Sequence, residues 1–285
     1  MTITRLDLDG HGSPAALVIR ILQLEPTLPV PIPVEQLCRE LDITSIGELE
    51  TEGFEAALIT DECKSTGAIL VARQSSRQRR RFSIAHELGH FLIRSHLPRS
   101  GEQSMCSAEH LGVNDVKEED RRRRMEAEAN RFAALLLIPP PLVRAELKAI
   151  RRPDISHVVR LARLFDVSKD AMARAYCEYC REAVAIALIR NGRVLRTYRN
   201  AANFPPLEVW RGQPVPSGSL AQTQFQPGEL SSVEECEPGL WVREPGDRTV
   251  AALTEQVLGQ REGFSLVMLV AELRDEEEPE TSPHW

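Results

Sequence analysis

No stretch of this sequence is both long and apolar enough to cross a bilayer. The longest candidates, Ala133 to Val143 and Phe264 to Ala271, fall short of a span and are broken by prolines or bounded by charges. An export signal is also missing: Met1 to Gly10 is polar and carries Asp7 and Asp9, so a cytoplasmic location without membrane contact is expected. The six cysteines (Cys38, Cys63, Cys106, Cys177, Cys180, Cys236) lack the spacing of a disulfide framework, and reduced thiols are expected in a chain of this size. Positive charge is in deficit, with 35 Lys and Arg against 42 Asp and Glu and a net charge of −7, so the chain as a whole repels nucleic acid. Basic residues gather only locally, at Arg77 and Arg79 to Arg81 and again at Arg121 to Arg124. No internal repeat is visible.

What remains is an ordinary globular composition, 42% hydrophobic and 27% charged, over 285 residues, enough for one large or two modest domains. Apolar residues recur at helical spacing from Ser13 to Leu24, and Pro33 leads into a second short helix over Val34 to Leu41. Alternating, β-branched stretches at Ile43 to Ile46, Phe54 to Thr60 and Gly67 to Arg73 predict a small sheet. A helix is expected from about Ser83 to Ser95, capped by Ser83 and turning Phe82, Ala85, Leu88 and Leu92 inward. Leu97 to Glu119 lacks periodicity and reads as a loop. A long helix then runs from about Arg121 to Leu137 and stops at Pro139 and Pro140.

Three further helices, Pro140 to Lys148, Ile155 to Phe165 and Ser168 to Arg181, complete a helical block with helix-turn-helix dimensions. Strands follow at Val184 to Arg190 and Gly192 to Thr197, joined by the hairpin signal Asn191-Gly192. Asn200 to Gly246 is irregular, with Trp210 and Trp241 as candidate anchors. Thr249 to Val257 and Gly263 to Leu273 close a small α+β domain. The expected organisation is therefore α+β: a first domain over 1–182, including a helix-turn-helix-like block at about 140–182; a small C-terminal domain over 183–273, a candidate GAF-like sensor; and an acidic, disordered tail over 274–285.

The chemistry concentrates in Phe82-Ser83-Ile84-Ala85-His86-Glu87-Leu88-Gly89-His90-Phe91-Leu92, which contains His-Glu-x-x-His. On a helix this spacing puts two imidazoles on one face, one turn apart, where both can meet one ion. Seven histidines and 42 acids placed at random would give the pattern about 0.03 times in such a chain, so chance is a poor explanation. Zinc accepts neutral imidazole and in catalytic sites takes three protein ligands, leaving one position for water. Glu87, beside His86, is then the general base toward that water. Apolar flanks predict a buried helix, and Gly89, which costs about 1 kcal/mol against Ala, implies that another element packs closely there.

The third ligand is sought in Met125-Glu126-Ala127-Glu128-Ala129-Asn130-Arg131-Phe132. Glu126 shares a helix face with Ala129, Asn130, Ala133 and Leu137, whereas Glu128 is turned about 200° away at about 100° per residue. Glu126 is the expected ligand and Glu128 the alternative. Asn130, one turn beyond Glu126, is placed to orient a ligating imidazole from behind.

Taken together, His86 to His90 followed by Glu126-x-x-Ala129-Asn130-x-Phe132-Ala133-Ala134-x-Leu136-Leu137-x-Pro139 resembles the ImmA/IrrE metallopeptidases. The likeness extends more loosely from the opening helix to Phe165-Asp166-Val167-Ser168 and Arg174, over roughly the first 180 residues. It implies a zincin-like fold, a zinc ion, and cleavage of a separate repressor of the helix-turn-helix (XRE) type that releases transcription under stress. Ile138 departs from the family's frequent methionine, an apolar exchange without consequence for the site. The run Arg77 to Arg81 also departs and points to an unusual substrate surface.

Weaker signals stand beside these. Tyr176, Tyr179, His96 and His110 are oxyanion-donor candidates by residue type alone. Cys177-Glu178-Tyr179-Cys180 is a lone C-x-x-C without a second pair, and a structural role is preferred. Arg160, Arg163, Lys169 and Arg174 could face DNA phosphates, but Asp154, Asp166, Asp170 and Glu178 interleave them, so DNA binding is not favoured. The alternative to a peptidase is a noncatalytic regulator stabilised by zinc. A third reading, resembling the peptide deformylases, would make Cys63 the third ligand.

Overall fold

In a computed structural model of the chain, described for residues 1–50, 53–96, 105–107, 116–243 and 248–275, seven α-helices accompany nine strands in two sheets. The α+β class is as expected. Contacts divide the chain into two units, Met1–Pro140 with Ala162–Ser168, and Pro141–Leu161 with Lys169–Trp285. The division between these contact units falls within the helical block.

The first unit opens with α1 (Pro14–Leu24), where proline occupies the first turn and Ser13 Oγ accepts the Ala16 N–H at 3.2 Å. After α2 (Val34–Glu40) come β1 (Ile43–Leu49), β2 (Phe54–Thr60) and β3 (Gly67–Ala72). Then follow α3 (Arg77–Leu92), β4 (Met105–Ser107) and α4 (Val116–Leu137). The sheet order is β1-β3-β2-β4, with β1 parallel to β3 and the other pairs antiparallel. Helix α3 packs on β2 and β3 and against α4, which in turn packs on α1. Its burial is nearly continuous from Ser83 to Phe91, as befits a helix covered on more than one side.

Two boundaries differ from the sequence reading. Helix α3 starts behind Ser76, whose Oγ accepts the Arg79 N–H at 3.3 Å, and Ser83 lies buried inside the helix instead of capping it. The arginines between them are good helix formers, so the helix extends back to the earlier serine. Helix α4 begins at Val116, and β4 lies in the stretch read as a loop. The rest of that loop, 97–104 and 108–115, lies outside the described residues.

The second unit holds α5 (Pro140–Leu147, whose first residue belongs to the other unit), most of α6 (Ile155–Phe165), and α7 (Lys169–Tyr179). Its strands are β5 (Val184–Arg190), β6 (Arg193–Arg199), β7 (Glu234–Cys236), β8 (Arg248–Gly259) and β9 (Phe264–Asp275). All pair antiparallel in the order β6-β5-β9-β8-β7. The β5–β6 hairpin turns through Asn191 at φ 49° and Gly192 at φ 70°, the left-handed pair that a two-residue loop requires. Val184 to Ile189 are buried without alternation, so both faces of β5 are covered; α7 packs on β5 and β6. Trp241 is fully buried in the sheet's core beside Phe204, Val257 and Leu269, whereas Trp210 is 61% exposed. Residues 276–285 of the acidic tail lie outside the described residues. Among the described residues, no helix is long and apolar enough to cross a membrane.

Candidate metal centre

Helix α3 delivers His86 and His90 from successive turns of its buried stretch, and both rings are nearly enclosed, with side chains 11% and 5% exposed. Helix α4 can approach this closely because of Gly89: a Cβ built there would sit 3.0 Å from Phe132 Cδ1 and 3.3 Å from Phe132 Cβ and Cγ. The close packing expected from that glycine is therefore that of Phe132. Six residues before Phe132, Glu126 points at both imidazoles, with Oε2 3.2 Å from His86 Nε2 and Oε1 3.3 Å from His90 Nε2. The two Nε2 atoms lie 3.1 Å apart.

The three side chains converge as the ligands of one ion would. A tetrahedral centre with Zn–N or Zn–O lengths of about 2.0–2.1 Å has ligand-to-ligand edges of about 3.3–3.4 Å; here the two Nε2 atoms are 3.1 Å apart, and each lies 3.2 or 3.3 Å from a different oxygen of Glu126. Two imidazoles with one carboxylate is a donor set that zinc accepts. His86, His90 and Glu126 are the group among the described residues with metal-ligating geometry. Cys63, exposed on the surface, is not part of it, which removes the geometric basis for the deformylase-like reading.

Electrostatics in the cluster fit competition between protons and a metal. Burial works against an ionised Glu126, but its contacts with His86 and His90 outweigh it and hold the carboxyl well below its usual range. Burial likewise opposes charge on His86, yet Glu126, Glu87 and Asn130 together raise its pKa. On His90 burial prevails, with repulsion from His86 adding to it, and the pKa falls. A proton shared in this cluster occupies the same lone pairs that a cation would take.

Asn130 stands where the helical spacing puts it, with Oδ1 3.1 Å from His86 Nδ1. An amide oxygen only accepts, so Nδ1 carries the hydrogen and the Nε2 lone pair of neutral His86 faces Glu126. Glu87 is 1% exposed and acts electrostatically on His86. Glu128, the alternative ligand, is absent from the cluster; its Oε2 lies 2.9 Å from His96 Nε2. His96 in turn lies with Nδ1 3.0 Å from His90 Nδ1. Burial pushes the His96 pKa down to about 4, despite Glu128.

This inner pair was not foreseen, because the expected helix ran on to about Ser95. Helix α3 instead stops at Leu92, and a 3-10 turn over Arg94–His96 carries His96 back under His90. Lys64, in a left-handed turn at φ 51°, closes that helix end by donating its Nζ to the carbonyls of His90 at 2.6 Å and Ile93 at 3.2 Å. Burial, with Arg5 nearby, lowers its pKa to about 8.

The arginine run before the motif is anchored within the fold. Arg77 and Arg81 pair with the buried Asp166 at 2.7 and 3.4 Å, Arg79 pairs with Glu55, and Arg80 lies 3.8 Å from Glu35. Gln78 also donates to Asp166 Oδ1 at 3.0 Å. Much of the charge attributed to an unusual substrate surface is thus taken up by acids of the same unit. Of the oxyanion candidates, His96 is engaged as above, Tyr176 is buried, Tyr179 lies under the Arg144 guanidinium, and His110 lies outside the described residues. Cys177 and Cys180 are buried thiols whose pKa values burial raises, in keeping with a structural role.

Comparison with known proteins agrees with this geometry. The family model of Peptidase M78, described as the IrrE N-terminal-like domain, matches residues 46–177, which span both helices of the centre and support assignment to the ImmA/IrrE family. No curated protein matches the chain. Among solved structures, the chain is similar to a Mycobacterium tuberculosis transcriptional regulator at 16% identity, over 92% of this chain and 88% of that one, with a TM-score of 0.53. That likeness concerns the fold alone.

Proposed function

We propose that this chain, whose residues 46–177 carry an IrrE N-terminal-like domain of the M78 peptidase family, is a zinc-dependent endopeptidase. In this reading it cleaves a helix-turn-helix (XRE-type) transcriptional repressor borne on a separate chain. The observation that supports it most is the convergence of His86 Nε2, His90 Nε2 and the Glu126 carboxylate, each imidazole lying 3.2–3.3 Å from one of its two oxygens and 3.1 Å from the other imidazole. His86, His90 and Glu126 would hold a zinc ion, which when bound would supply Lewis acidity toward a water and the scissile carbonyl.

The protein's own groups do the rest. Glu87, next in sequence to His86 and shielded from solvent, takes up a proton at its carboxylate and returns it to the nitrogen of the departing amine. Asn130 holds the His86 ring in the tautomer that leaves Nε2 basic. Glu126, held ionised, contributes the negative charge that balances part of a divalent cation.

The partition that goes with this reading is a zincin-like peptidase domain over 1–182, a GAF-like sensor domain over 183–273 and an acidic tail over 274–285. Its action is cytoplasmic and makes no use of a membrane. The five-stranded antiparallel sheet with α7 on it supports the sensor reading. The helix-turn-helix-like block, α6 and α7 about the left-handed Asp166 at φ 51°, serves as structure and does not read DNA. In support, Arg160 pairs with Glu146 at 2.8 Å and Lys169 donates to Gln260 at 3.0 Å. The alternative, a noncatalytic zinc-stabilised regulator with a ligand-sensing or DNA-binding role, draws on the name of the solved neighbour, a transcriptional regulator.

Incubation with purified repressors encoded beside its own gene, read by mass spectrometry with and without a chelator, separates the two. The peptidase reading expects one defined cut, abolished by the chelator and by Glu87→Gln, which keeps its zinc. Cleavage at a normal rate by that variant would remove Glu87 from the mechanism, and stoichiometric zinc with no cleavage of any repressor would favour the alternative.

A further inference from the structure

Behind His90, on the side away from Glu126, lies a short relay of buried polar groups that the metallopeptidase reading does not use. His90 Nδ1 is 3.0 Å from His96 Nδ1, and His96 Nε2 is 2.9 Å from Glu128 Oε2. The His96 side chain is fully enclosed, whereas that of Glu128 is 35% exposed. The direction of each hydrogen bond follows from donor chemistry. An ionised carboxylate can only accept, so His96 Nε2 carries the hydrogen. In neutral His96 the Nδ1 is then a lone pair, and it can only accept. The hydrogen between the two Nδ1 atoms must therefore belong to His90, whose Nε2 is left unprotonated where it faces Glu126 and His86.

We propose that Glu128 and His96 are positioning residues that fix the Nε2-basic tautomer and the ring orientation of His90, making it a metal ligand in advance of the metal. The proposal rests on the reading of His86, His90 and Glu126 as a zinc site. It assigns a role to two residues that touch neither ion nor substrate, and gives His90 the counterpart of what Asn130 gives His86. The two supports differ in kind. Asn130 is a neutral amide one turn from Glu126 on α4, whereas the His90 support is anchored by a carboxylate and reaches it through a second imidazole, so it also raises the basicity of the ligating nitrogen.

The position of His96 depends on the abrupt end of α3. Had the helix continued past Leu92, residue 96 would lie more than a turn further along the axis. The 3-10 turn at Arg94–His96 and the Lys64 ammonium on the carbonyls of His90 and Ile93 hold it where its ring meets His90.

The test is the zinc dissociation constant of the full chain, measured by chelator competition, together with ¹⁵N NMR of the histidine rings in metal-free protein. His96→Leu is expected to weaken zinc binding about 10- to 100-fold and to turn the single Nδ1–H tautomer of His90 into a mixture. His96→Gln can restore an acceptor toward His90 and a donor toward Glu128, and is expected to recover most of the affinity, a rescue that simple space-filling by Leu cannot produce. Glu128→Ala, at a half-exposed position that tolerates truncation, is expected to weaken zinc in the same direction, and Glu128→Gln, which still accepts from His96, to stay near wild type. Wild-type affinity in both His96→Leu and Glu128→Ala, or an unchanged His90 tautomer in them, overturns the proposal while leaving the zinc site standing. A wild-type chain that binds no zinc instead overturns the parent reading.

Discussion

Replacing Gly89 with alanine puts two opposing effects into one methyl group. Alanine is favoured over glycine inside a helix by about 1 kcal/mol, so on an uncrowded helix the change would stabilise. Here the new Cβ would lie 3.0 Å from Phe132 Cδ1 and 3.3 Å from its Cβ and Cγ, against an ordinary carbon–carbon separation of about 3.5–4.0 Å. The ring is fully buried, so the conflict is relieved mainly by α4 backing away from α3, at an overpacking cost of about 1–3 kcal/mol. The net expectation is a loss of about 0–2 kcal/mol. The metal centre should respond more clearly, because α4 also carries Glu126 and Asn130. A retreat of a few tenths of an ångström opens their contacts with His86 and His90, and zinc binding should weaken about tenfold, the lower end for disturbing a ligand's support. The measurements are urea unfolding of the metal-free chain and zinc competition, repeated in a Phe132→Leu background, where a double-mutant cycle should show the two sites to be coupled. If Gly89→Ala gained about 1 kcal/mol and bound zinc as tightly as wild type, the close approach of the two helices would not be what positions Glu126.

Other outcomes follow from the same geometry. Glu126→Ala should abolish stoichiometric zinc while Cys63→Ser leaves it intact, as read by metal analysis after dialysis; the opposite pattern would restore the cysteine-ligand reading. Asp166→Ala removes the acceptor shared by Gln78, Arg77 and Arg81. It should cost about 3 kcal/mol in chemical denaturation, mostly through the enclosed Arg81, since the pairing of the exposed Arg77 is screened. Asp166→Asn, which tolerates the left-handed backbone, should cost less, and equal losses would mean that charge is irrelevant there. In native protein a thiol reagent at neutral pH should modify the exposed Cys63 while Cys38, Cys177 and Cys180 resist until unfolding. For Cys38 burial lifts the pKa to about 12. Fast labelling of Cys177, located by peptide mapping, would contradict its enclosure.

The parts of the centre that could be read in advance are those governed by helical periodicity. His86 and His90 share a face by their spacing, Glu126 and Asn130 do so by theirs, and Gly89 signalled a close neighbour before Phe132 was known to be it. What escaped depends on where helices end. Ser76 and Ser83 are equally good caps in sequence, and only packing decides that the second lies buried inside α3. The stop at Leu92 relies on Lys64, 26 residues away from His90, which no local signal reveals, and without that stop His96 cannot be placed. Glu128 ranks second to Glu126 in the sequence because it is turned well away from it. That angle is correct for the helix, but it said nothing about a partner arriving from the end of another helix. In the second unit, Asn191-Gly192 and the apolar run of β5 were legible, whereas the choice between Trp210 and Trp241 as anchor depends on long-range packing that composition does not encode.

The two imidazoles of the cluster are walled in while the Glu126 side chain is 46% exposed, so the carboxylate side is its doorway. A peptide seeking the reacting position and an ion entering or leaving would have to use the same passage. Bound substrate should therefore act as a plug, slowing metal exchange, and a chelator added during turnover should strip idle molecules first.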